Sequence, residues 1–433
     1  MNHGFLIAAA SSGSGKTTLS LGLMRALRRR GYRVQPFKCG PDYIDTWFHR
    51  LATGRESVNL DLYMSSPQHI KGLAARYGKD ADICVAEGVM GLFDGYSRKE
   101  GSSADVAGIL GLPVILLVNA ASTSYSVAAT IYGFSRFDPG VRVAGVIFNR
   151  VASPTHYASL RDACADAGVE CLGYLRRDSA LTVPSRHLGL SMGEAGEIDG
   201  FINHAADAVE DGVDIDRLLG ITAGISFPST GSPGPARQEI SPSACRVAVA
   251  RDNAFNFIYR ANIDSLRDAG CAVTEFSPLA DSRLPDADFV YLPGGYPELY
   301  AGRLSENESM RRSIAEYVER GGRLWAECGG LIYLCKDIDG APMCGVFPLR
   351  CTMNDARLTL GYRTVDFGSG KSLGGHEFHY SRLLDPEALP SVATQTGIRG
   401  KAVGTSVYRR NNALASYTHL YWAENPTRLL DLY

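Results

Sequence analysis

The sequence predicts an α/β protein with two mostly parallel α/β domains, and three observations lead to that prediction. Over the first 190 residues, short apolar β-type runs alternate with longer helical patterns. The stretch 221–243 is rich in Pro, Gly and Ser and lacks periodicity, which is typical of an exposed linker. The alternation then restarts. We therefore expect domains at 1–220 and 244–433, with a linker over 221–243.

The individual elements follow from apolar runs and helical spacing. The first domain's strand candidates are Phe5–Ala9, Arg33–Phe37, Ile83–Ala86, Val114–Val118 and Val143–Phe148. A helix is predicted over Thr17–Arg30, with Gly31 as its end signal. In the second domain we expect strands Arg246–Ala250, Ala272–Phe276 and Phe289–Leu292 and a helix over Ile258–Ala269. Such alternation implies helices on both faces of each sheet.

Composition excludes several classes of protein. The 433 residues include 44 basic and 46 acidic side chains, so no basic field for nucleic acid is expected. Apolar runs such as Pro113–Val118 fall short of the about 20 residues that span a bilayer. The ten cysteines form no CxxC pair and are expected to be reduced. We expect a cytoplasmic protein without nucleic-acid or membrane partners.

A Gly/Ser-rich segment, ASSGSGKTT at residues 10–18, lies between the first predicted strand and the first helix. It fits a phosphate-binding loop, except that Ala10 replaces the usual first glycine. The alternative is a simple Gly/Ser-rich turn. Lys16 would contact the β- and γ-phosphates of ATP, and Thr17 would bind Mg²⁺. The candidate ATP-binding residues are Gly13, Ser14, Gly15, Lys16, Thr17 and Thr18.

Two acidic clusters follow neighbouring predicted strands. Lys38–Asp45, with the sequence KCGPDYID, follows the second strand candidate, and Glu87–Gly95 follows the third. Because parallel strands end at a shared edge where ligands bind, both clusters are expected beside the phosphate loop. Asp42 and Glu87 are candidate Mg²⁺ ligands together with Thr17, and the glycines after Glu87 would admit a ligand. Solvated surface turns are the alternative.

The second domain contains a candidate nucleophile. Cys328 stands between a short apolar run and small residues that lead into a helix, in LWAECGGL. A sharp turn there would expose the thiol and let the helix N-terminus lower its pKa. The paired glycines Gly294 and Gly295 could form an oxyanion hole, and His419 could serve as the base. The alternative is a buried structural cysteine.

The segment GHEFHY, residues 375–380, has two histidines that could suggest zinc. His376 and His379 are three residues apart, not four as in HExxH. The preceding glycines and the alternating Phe378 and Tyr380 favour a strand with the histidines on opposite faces. A zinc site is therefore not expected.

These motifs resemble the cobyrinate a,c-diamide synthase family. The resemblance rests on Lys38–Asp45, Glu87–Gly95 and Leu181–Leu190, which reads LTVPSRHLGL. The N-terminal domain resembles dethiobiotin synthetase, a P-loop enzyme that activates a carboxylate with ATP. The C-terminal domain resembles a class I glutamine amidotransferase domain of the cobyrinate/cobyrate synthase type. Tyr421 stands where that class has a Glu, so His419 could form a dyad or use a carboxylate from elsewhere.

The resemblance implies ATP- and glutamine-dependent amidation of the a- and c-acetate carboxylates of cobyrinate through an acyl-phosphate. It implies Mg²⁺ with ATP and small-molecule partners (ATP, glutamine and a corrinoid tetrapyrrole). Asp45 is expected on the tetrapyrrole side, because the turn at Pro41 should send Asp42 and Asp45 in different directions, and Lys38 is the other candidate for substrate binding. A homodimer is a further expectation. Hydrogenobyrinate or nickel-sirohydrochlorin could be the tetrapyrrole instead of cobyrinate. A cobyrate synthase, which amidates other side chains of the same ring, is a further alternative. CTP synthase is disfavoured by the GPDYID string, and a partition-ATPase-like switch by the intact Cys328 and His419.

Overall fold

The computed structural model describes residues 3–182, 195–225 and 245–433, which form two compact units divided near the predicted linker. The bounds 1–220, 221–243 and 244–433 stay a prediction. Ile221 ends a helix, and Thr222 is buried with its carbonyl accepting a hydrogen bond from the N–H of Gly4. These first linker residues are therefore packed in the first unit. Residues 226–243, and most of the LTVPSRHLGL motif, lie outside the described residues.

The first unit has a seven-stranded, entirely parallel sheet in the order β3-β2-β4-β1-β5-β6-β7. Its strands are β1 His3–Ala9, β2 Val34–Cys39, β3 Val58–Leu60, β4 Ile83–Glu87, β5 Val114–Asn119, β6 Val143–Val151 and β7 Glu170–Arg176. Its helices are α1 Lys16–Arg29, α2 Ile44–Thr53, α3 Pro67–Gly78, α4 Ser103–Leu110, α5 Val127–Arg136, α6 Pro154–Ala167, α7 Ala195–Gly212 and α8 Ile215–Ile221.

All five strand predictions in this unit are confirmed, and β3 and β7 were missed. β3 has only three residues, and β7 mixes polar and apolar residues in ECLGYLR, so neither stands out as an apolar run. The predicted first helix is also confirmed as α1. Three helices begin with a serine whose Oγ accepts a backbone N–H, at Ser66, Ser102 and Ser153.

The strand order brings distant parts of the chain to one edge of this sheet. β1 lies between β4 and β5, and β4 also pairs with β2. In that register Glu87, the last residue of β4, is opposite Ile7 on one side and Lys38 on the other. The phosphate loop and both acidic clusters therefore start from neighbouring strands.

The second unit contains a six-stranded sheet in the order β19-β20-β11-β10-β8-β9, in which only β19 is antiparallel to its neighbour. Its strands are β8 Arg246–Ala250, β9 Ala272–Phe276, β10 Phe289–Leu292, β11 Arg323–Glu327, β19 Val407–Arg410 and β20 Ala413–Ser416. Its helices are α9 Arg260–Asp268, α10 Ala301–Glu306, α11 Glu308–Glu319, α12 Gly329–Leu334 and α13 Thr427–Leu430. The three predicted strands are confirmed, and the predicted helix is α9.

Two smaller four-stranded sheets complete this unit, and of their strands the sequence predicted only the one in the GHEFHY segment. One has the order β13-β12-β14-β17, and the other is antiparallel in the order β18-β15-β16-β21. Their strands are β12 Asp337–Ile338, β13 Ala341–Pro342, β14 Arg350–Thr352, β15 Thr359–Asp366, β16 Ser372–His379, β17 Arg382–Leu383, β18 Thr394–Thr396 and β21 Thr418–Leu420. The overall class, two mostly parallel α/β domains, is confirmed.

The core of the second unit follows the alternation of its central strands. Val290 and Leu324 face one apolar layer, whereas Phe289 and Trp325 face the other. The sheet is thus covered on both faces, as a parallel sheet requires. None of the helices in the described ranges combines the length and apolar character needed to cross a membrane.

Candidate active sites

The phosphate loop connects β1 to α1, as the sequence predicts. Gly13 and Gly15 have φ values of 75° and 98°, in the left-handed region that favours glycine. A Cβ on Gly15 would lie 2.3 Å from Nδ2 of Asn149. Because of both the angle and this close approach, no other residue fits at the last position before α1.

Lys16 and Asn149 hold the loop in place. The Lys16 ammonium donates to the carbonyl of Ser11 at 3.2 Å and also to the carbonyl of Met90. Asn149, in β6, donates from Nδ2 to the carbonyl of Ser14 at 2.8 Å. Sequence reasoning missed Asn149, although a polar residue near the end of a buried strand is a recognisable signal. The lysine therefore lies over the loop that is expected to bind phosphates.

A buried cluster of charges adjoins the loop. Lys38 Nζ is 2.6 Å from Oδ2 of Asp45 and 2.9 Å from Oε1 of Glu87. The other Glu87 oxygen is 2.8 Å from Nε2 of His49, and Thr17 donates its hydroxyl proton to Oε1 at 2.8 Å. Lys38, Asp45, His49 and Glu87 are all at most 2% exposed. Three of the predicted site residues thus meet around Glu87, and His49 is an addition that sequence reasoning missed.

The charges in this cluster stabilise one another. Burial opposes the charged form of Lys38, but Asp45 and Glu87 outweigh it and raise the pKa of Lys38 above its ordinary value. Burial likewise opposes ionisation of Glu87, but Lys38 and His49 hold the pKa of Glu87 well below its ordinary value. Lys38 and Glu87 are therefore both ionised at neutral pH.

Other predicted residues have different neighbours. Asp42 accepts a hydrogen bond from the N–H of Asp45 at 2.8 Å, a contact that caps the start of α2. Thr18 donates to the carbonyl of Leu181 at 3.1 Å, in the segment after β7. The expectation that the glycines after Glu87 make room for a ligand needs correction at Gly91. A Cβ there would lie 2.7 Å from the carbonyl of Ala10. The missing side chain of Gly91 therefore leaves room for the backbone at Ala10.

Cys328 occupies a strained turn between β11 and α12. Its φ and ψ are 45° and −103°, an unfavourable conformation for a residue with a Cβ. Its N–H is held by the carbonyl of Ser416 at 2.8 Å. A Cβ on Gly330 would lie 2.2 Å from the carbonyl of Leu292, which explains the small residues after the cysteine. This is the geometry of a nucleophile elbow.

Two backbone N–H groups face the thiol, those of Gly295 and Gly329. Gly295 has φ 156°, and a Cβ on it would lie 2.0 Å from the carbonyl of Ala254. A Cβ on Gly294 would lie 2.2 Å from Cε1 of His419, and its predicted place in the oxyanion hole stays a prediction. Gly295 and Gly329 therefore supply the donors of a candidate oxyanion hole, and Gly294 makes room for the base.

The predicted low pKa of Cys328 is wrong for this structure. Burial, followed by the charge of Glu298, raises the pKa of Cys328 well above its ordinary value. Hydrogen bonds from the N–H groups of Gly329 and Gly295 lower the pKa of Cys328, but by less than burial and Glu298 raise it. The thiol is therefore protonated at neutral pH and needs a base.

His419, in β21, is placed to be that base. It is fully buried, and burial, followed by His376 and His379, lowers the pKa of His419 well below its ordinary value. Its Cα pairs with His376 of β16, and the Cys328 thiol is 3.6 Å from the carbonyl of Phe378 in the same strand. Both the nucleophile and the neutral imidazole therefore adjoin β16 and the Gly294–Gly295 turn.

Glu327 is a candidate for the carboxylate that sequence reasoning could not assign. Its Oε2 is 3.7 Å from Nδ1 of His419. It accepts hydrogen bonds from the Tyr291 hydroxyl (2.7 Å), the Trp325 indole (2.8 Å) and the N–H of Leu420 (2.8 Å). Burial raises the pKa of Glu327 to about 7. The sequence did contain a signal for this residue, namely a Glu at the end of an apolar strand, directly before the candidate nucleophile.

The GHEFHY segment forms β16, as predicted. His379 contacts Glu377 at 2.9 Å and stacks on Tyr417 with ring centroids 3.7 Å apart. His376 contacts the Tyr362 ring instead. Among the residues that the structure describes, no cluster of His, Cys, Asp and Glu is suited to a metal.

A phosphate-loop domain and a domain with a cysteine at a strand–helix elbow, a buried histidine and a candidate oxyanion hole, in one chain, are typical of a glutamine-dependent amide-forming enzyme. Residues 5–190 match the CobQ/CobB/MinD/ParA nucleotide binding domain, and residues 246–427 match the CobB/CobQ-like glutamine amidotransferase domain. Relatives named hydrogenobyrinate and cobyrinate a,c-diamide synthase are 42% and 40% identical to this chain over nearly its full length, so the chain belongs to the cobyrinate a,c-diamide synthase family.

Full-length relatives support this membership. A hydrogenobyrinate a,c-diamide synthase of Brucella abortus is 42% identical over 429 residues, which cover 96% of this chain and 98% of the relative. A hydrogenobyrinate a,c-diamide synthase of Rhizobium meliloti is also 42% identical, and the match covers 96% of this chain and 99% of that relative. A cobyrinate a,c-diamide synthase of Listeria innocua is 40% identical over 99% of this chain and 98% of its own.

Proposed function

We propose that this enzyme amidates the a- and c-acetate carboxylates of cobyrinate, with ATP as the activator and glutamine as the nitrogen donor. The observation that supports this most is that one chain holds a phosphate loop with Lys16 and, in its second unit, Cys328 and His419 that both adjoin the Gly294–Gly295 turn. Relatives named for this reaction match nearly the whole chain. The metal-free substrate hydrogenobyrinate is the second candidate, because it stands in the names of the first relatives.

The two halves supply what an amidation needs. A carboxylate resists attack by ammonia because its carbon shares delocalised negative charge and lacks a leaving group. Transfer of the γ-phosphoryl group of ATP to a carboxylate oxygen gives an acyl-phosphate and ADP. Ammonia then attacks the acyl carbon, phosphate leaves, and the amide forms. Glutamine hydrolysis in the second unit supplies the ammonia.

In the glutaminase half, neutral His419 takes the thiol proton of Cys328, and the thiolate attacks the side-chain amide of glutamine. The N–H groups of Gly295 and Gly329 stabilise the oxyanion that develops. His419 passes its proton to the departing ammonia, and water then hydrolyses the thioester to glutamate. Glu327 orients His419 and offsets the positive charge that the ring acquires.

In the synthetase half, the loop from Gly13 to Thr18 binds the phosphates, with Lys16 as the cation. The contact of the Thr17 hydroxyl with a Glu87 carboxylate oxygen is a pair of hard oxygen donors, which suits Mg²⁺. Thr17 and Glu87, with Asp42 from the neighbouring turn, would hold the ion. When bound, Mg²⁺ offsets the negative charge of the phosphates.

Lys38 and Asp45 are proposed to act on the tetrapyrrole side of this site. Lys38 bridges Asp45 and Glu87, so its ammonium lies at the boundary between the substrate and nucleotide groups. A substrate carboxylate can compete with these two carboxylates for the same ammonium. Cytoplasmic location and a homodimer also belong to this proposal.

The direct test is a product analysis. Purified protein is incubated with MgATP, glutamine and, separately, cobyrinate, hydrogenobyrinate or nickel-sirohydrochlorin, and the products are weighed by mass spectrometry. Two successive exchanges of OH for NH₂ on cobyrinate support the proposal. Exchange on hydrogenobyrinate alone supports the second candidate. Failure with every tetrapyrrole, with either glutamine or ammonium salts, contradicts the function.

A further inference from the structure

Two carboxylates, Glu298 and Glu377, act electrostatically on the Cys328 thiol. Glu377 is already paired: Oε2 is 2.5 Å from the Arg363 guanidinium, and Oε1 is 2.9 Å from His379. The Thr405 hydroxyl also donates to it. The charge of Glu377 is therefore offset by its own neighbours.

Glu298 lies in the short 3₁₀ turn Pro297–Tyr300, directly after the glycines of the oxyanion hole. This turn packs on the start of α12, because a Cβ on Gly329 would lie 2.9 Å from Cδ of Pro297. Within the described ranges, no Lys, Arg or His side chain forms an ion pair with Glu298. Burial raises the pKa of Glu298 to about 7.

A half-buried carboxylate without a cation opposes the chemistry of its neighbour. Its desolvation is costly, and its negative charge disfavours a second anion on Cys328. A cation on the substrate that pairs with Glu298 would offset its desolvation and would also remove its repulsion of a Cys328 thiolate. Glutamine carries such a cation, the α-ammonium group, three carbon–carbon bonds from the amide carbon that Cys328 attacks.

We propose that Glu298 binds the α-ammonium group of glutamine and selects amino-acid amides over other amides. The inference rests on the proposed glutaminase function and adds a specificity residue to it. Binding of glutamine would neutralise Glu298 and so favour the Cys328 thiolate only when the donor is in place. Glu377 cannot serve in this way because Arg363 and His379 already occupy it.

The test compares two donors in the full-length enzyme. Glutaramate has the carbon chain and amide of glutamine, but hydrogen replaces the α-amino group. Wild type should prefer glutamine strongly, and Glu298→Gln should lower kcat/KM for glutamine by at least about 100-fold, as expected for loss of a buried charge pair. The kcat/KM for glutaramate should stay the same or rise. Glu298→Asp, which keeps the charge, should retain part of the preference.

Glu306→Gln is the matched control, because Glu306 is an exposed carboxylate of α10 in the same part of the chain. It should leave both donors unaffected. Ammonia-dependent amidation should persist in Glu298→Gln, which shows a folded enzyme. If wild type lacked ammonia-dependent amidation, the proposed function would fail, whereas the comparison of donors would still test Glu298.

A second readout detects the charge itself. The Cys328 peptide is followed by mass spectrometry during alkylation with iodoacetamide at neutral pH, without glutamine. Glu298→Gln should speed this alkylation because a neutral side chain no longer opposes the thiolate. An equal loss of kcat/KM for both donors, or no loss for glutamine, would overturn the assignment. So would an unchanged alkylation rate.

Discussion

The Glu327 carboxylate lies 3.7 Å from the imidazole of His419, from Oε2 to Nδ1, although the two residues are 92 positions apart in sequence. Glu327 directly precedes Cys328, and the strained φ of 45° at the cysteine turns the thiol away from the strand. One short segment therefore supplies both the nucleophile and the carboxylate that faces the base. At 3.7 Å the contact is electrostatic and longer than a hydrogen bond.

Glu327→Gln should lower kcat of the glutaminase by about 100-fold, because an orienting carboxylate stabilises the imidazolium that forms during attack. KM for glutamine should change little, since the Glu327 oxygens are already hydrogen-bonded to Tyr291, Trp325 and the N–H of Leu420. Initial rates of glutamate release give both constants. An unchanged kcat would mean that His419 works without Glu327, as a dyad.

Glu327 should also make stability depend on pH. Burial raises the pKa of Glu327 from 4.5 to about 7, so the folded protein holds this proton more tightly than the unfolded chain. The contribution of protonated Glu327 to the free energy of unfolding is complete below pH 4.5, and it is lost as the pH rises towards 7. The free energy of unfolding of wild type, relative to Glu327→Gln, should fall by about 3 kcal/mol over that range. Urea unfolding at several pH values measures it, and a pH-independent difference contradicts it.

Gly294→Ala should abolish most glutaminase activity, by about 100-fold or more, because the new Cβ would lie 2.2 Å from Cε1 of His419 and displace the ring. Ammonia-dependent amidation should persist. Gly302→Ala is the control, since a Cβ on Gly302 would meet nothing within 4 Å. Equal activity of the two variants would show that His419 tolerates the methyl group.

Cys328→Ala should reduce glutamine-dependent synthesis by several orders of magnitude, since it removes the proposed nucleophile. Ammonium salts at mildly alkaline pH should restore diamide formation, because the unprotonated amine can attack the acyl-phosphate directly. Cys344→Ala, a partly buried thiol outside the site, serves as the control. Loss of the ammonia-dependent reaction in a folded Cys328→Ala protein would refute the separation of the two chemistries.

Asp45→Asn should raise KM for the tetrapyrrole and leave KM for ATP nearly unchanged. The change removes one of the two carboxylates that contact Lys38, and Glu87 remains beside Thr17. Steady-state kinetics with each substrate varied in turn separates the two constants. The exposed Asp80→Asn is a control for loss of charge. A large rise in KM for ATP alone would place Asp45 on the nucleotide side.

Local patterns in the sequence determined the strands β1, β8, β9 and β10, the phosphate loop and the elbow at Cys328. Each of these depends on neighbouring residues: an apolar run, glycines that permit unusual φ values, or small residues after a nucleophile. Apart from β16, the strands of the two small sheets were missed, since several are very short, as β12 and β13 are with 2 residues each.

Only the tertiary structure decided which distant residues meet. The partners of Glu87, which are Lys38, His49 and Thr17, come from two helices and a neighbouring strand. The contact of Glu327 with His419 needs β11 and β21, which belong to two different sheets, to lie close together, and no spacing along the chain encodes it. The pKa of Cys328 was misjudged for the same reason. A helix N-terminus is visible in sequence, whereas burial and the charge of Glu298 arise only when the chain packs.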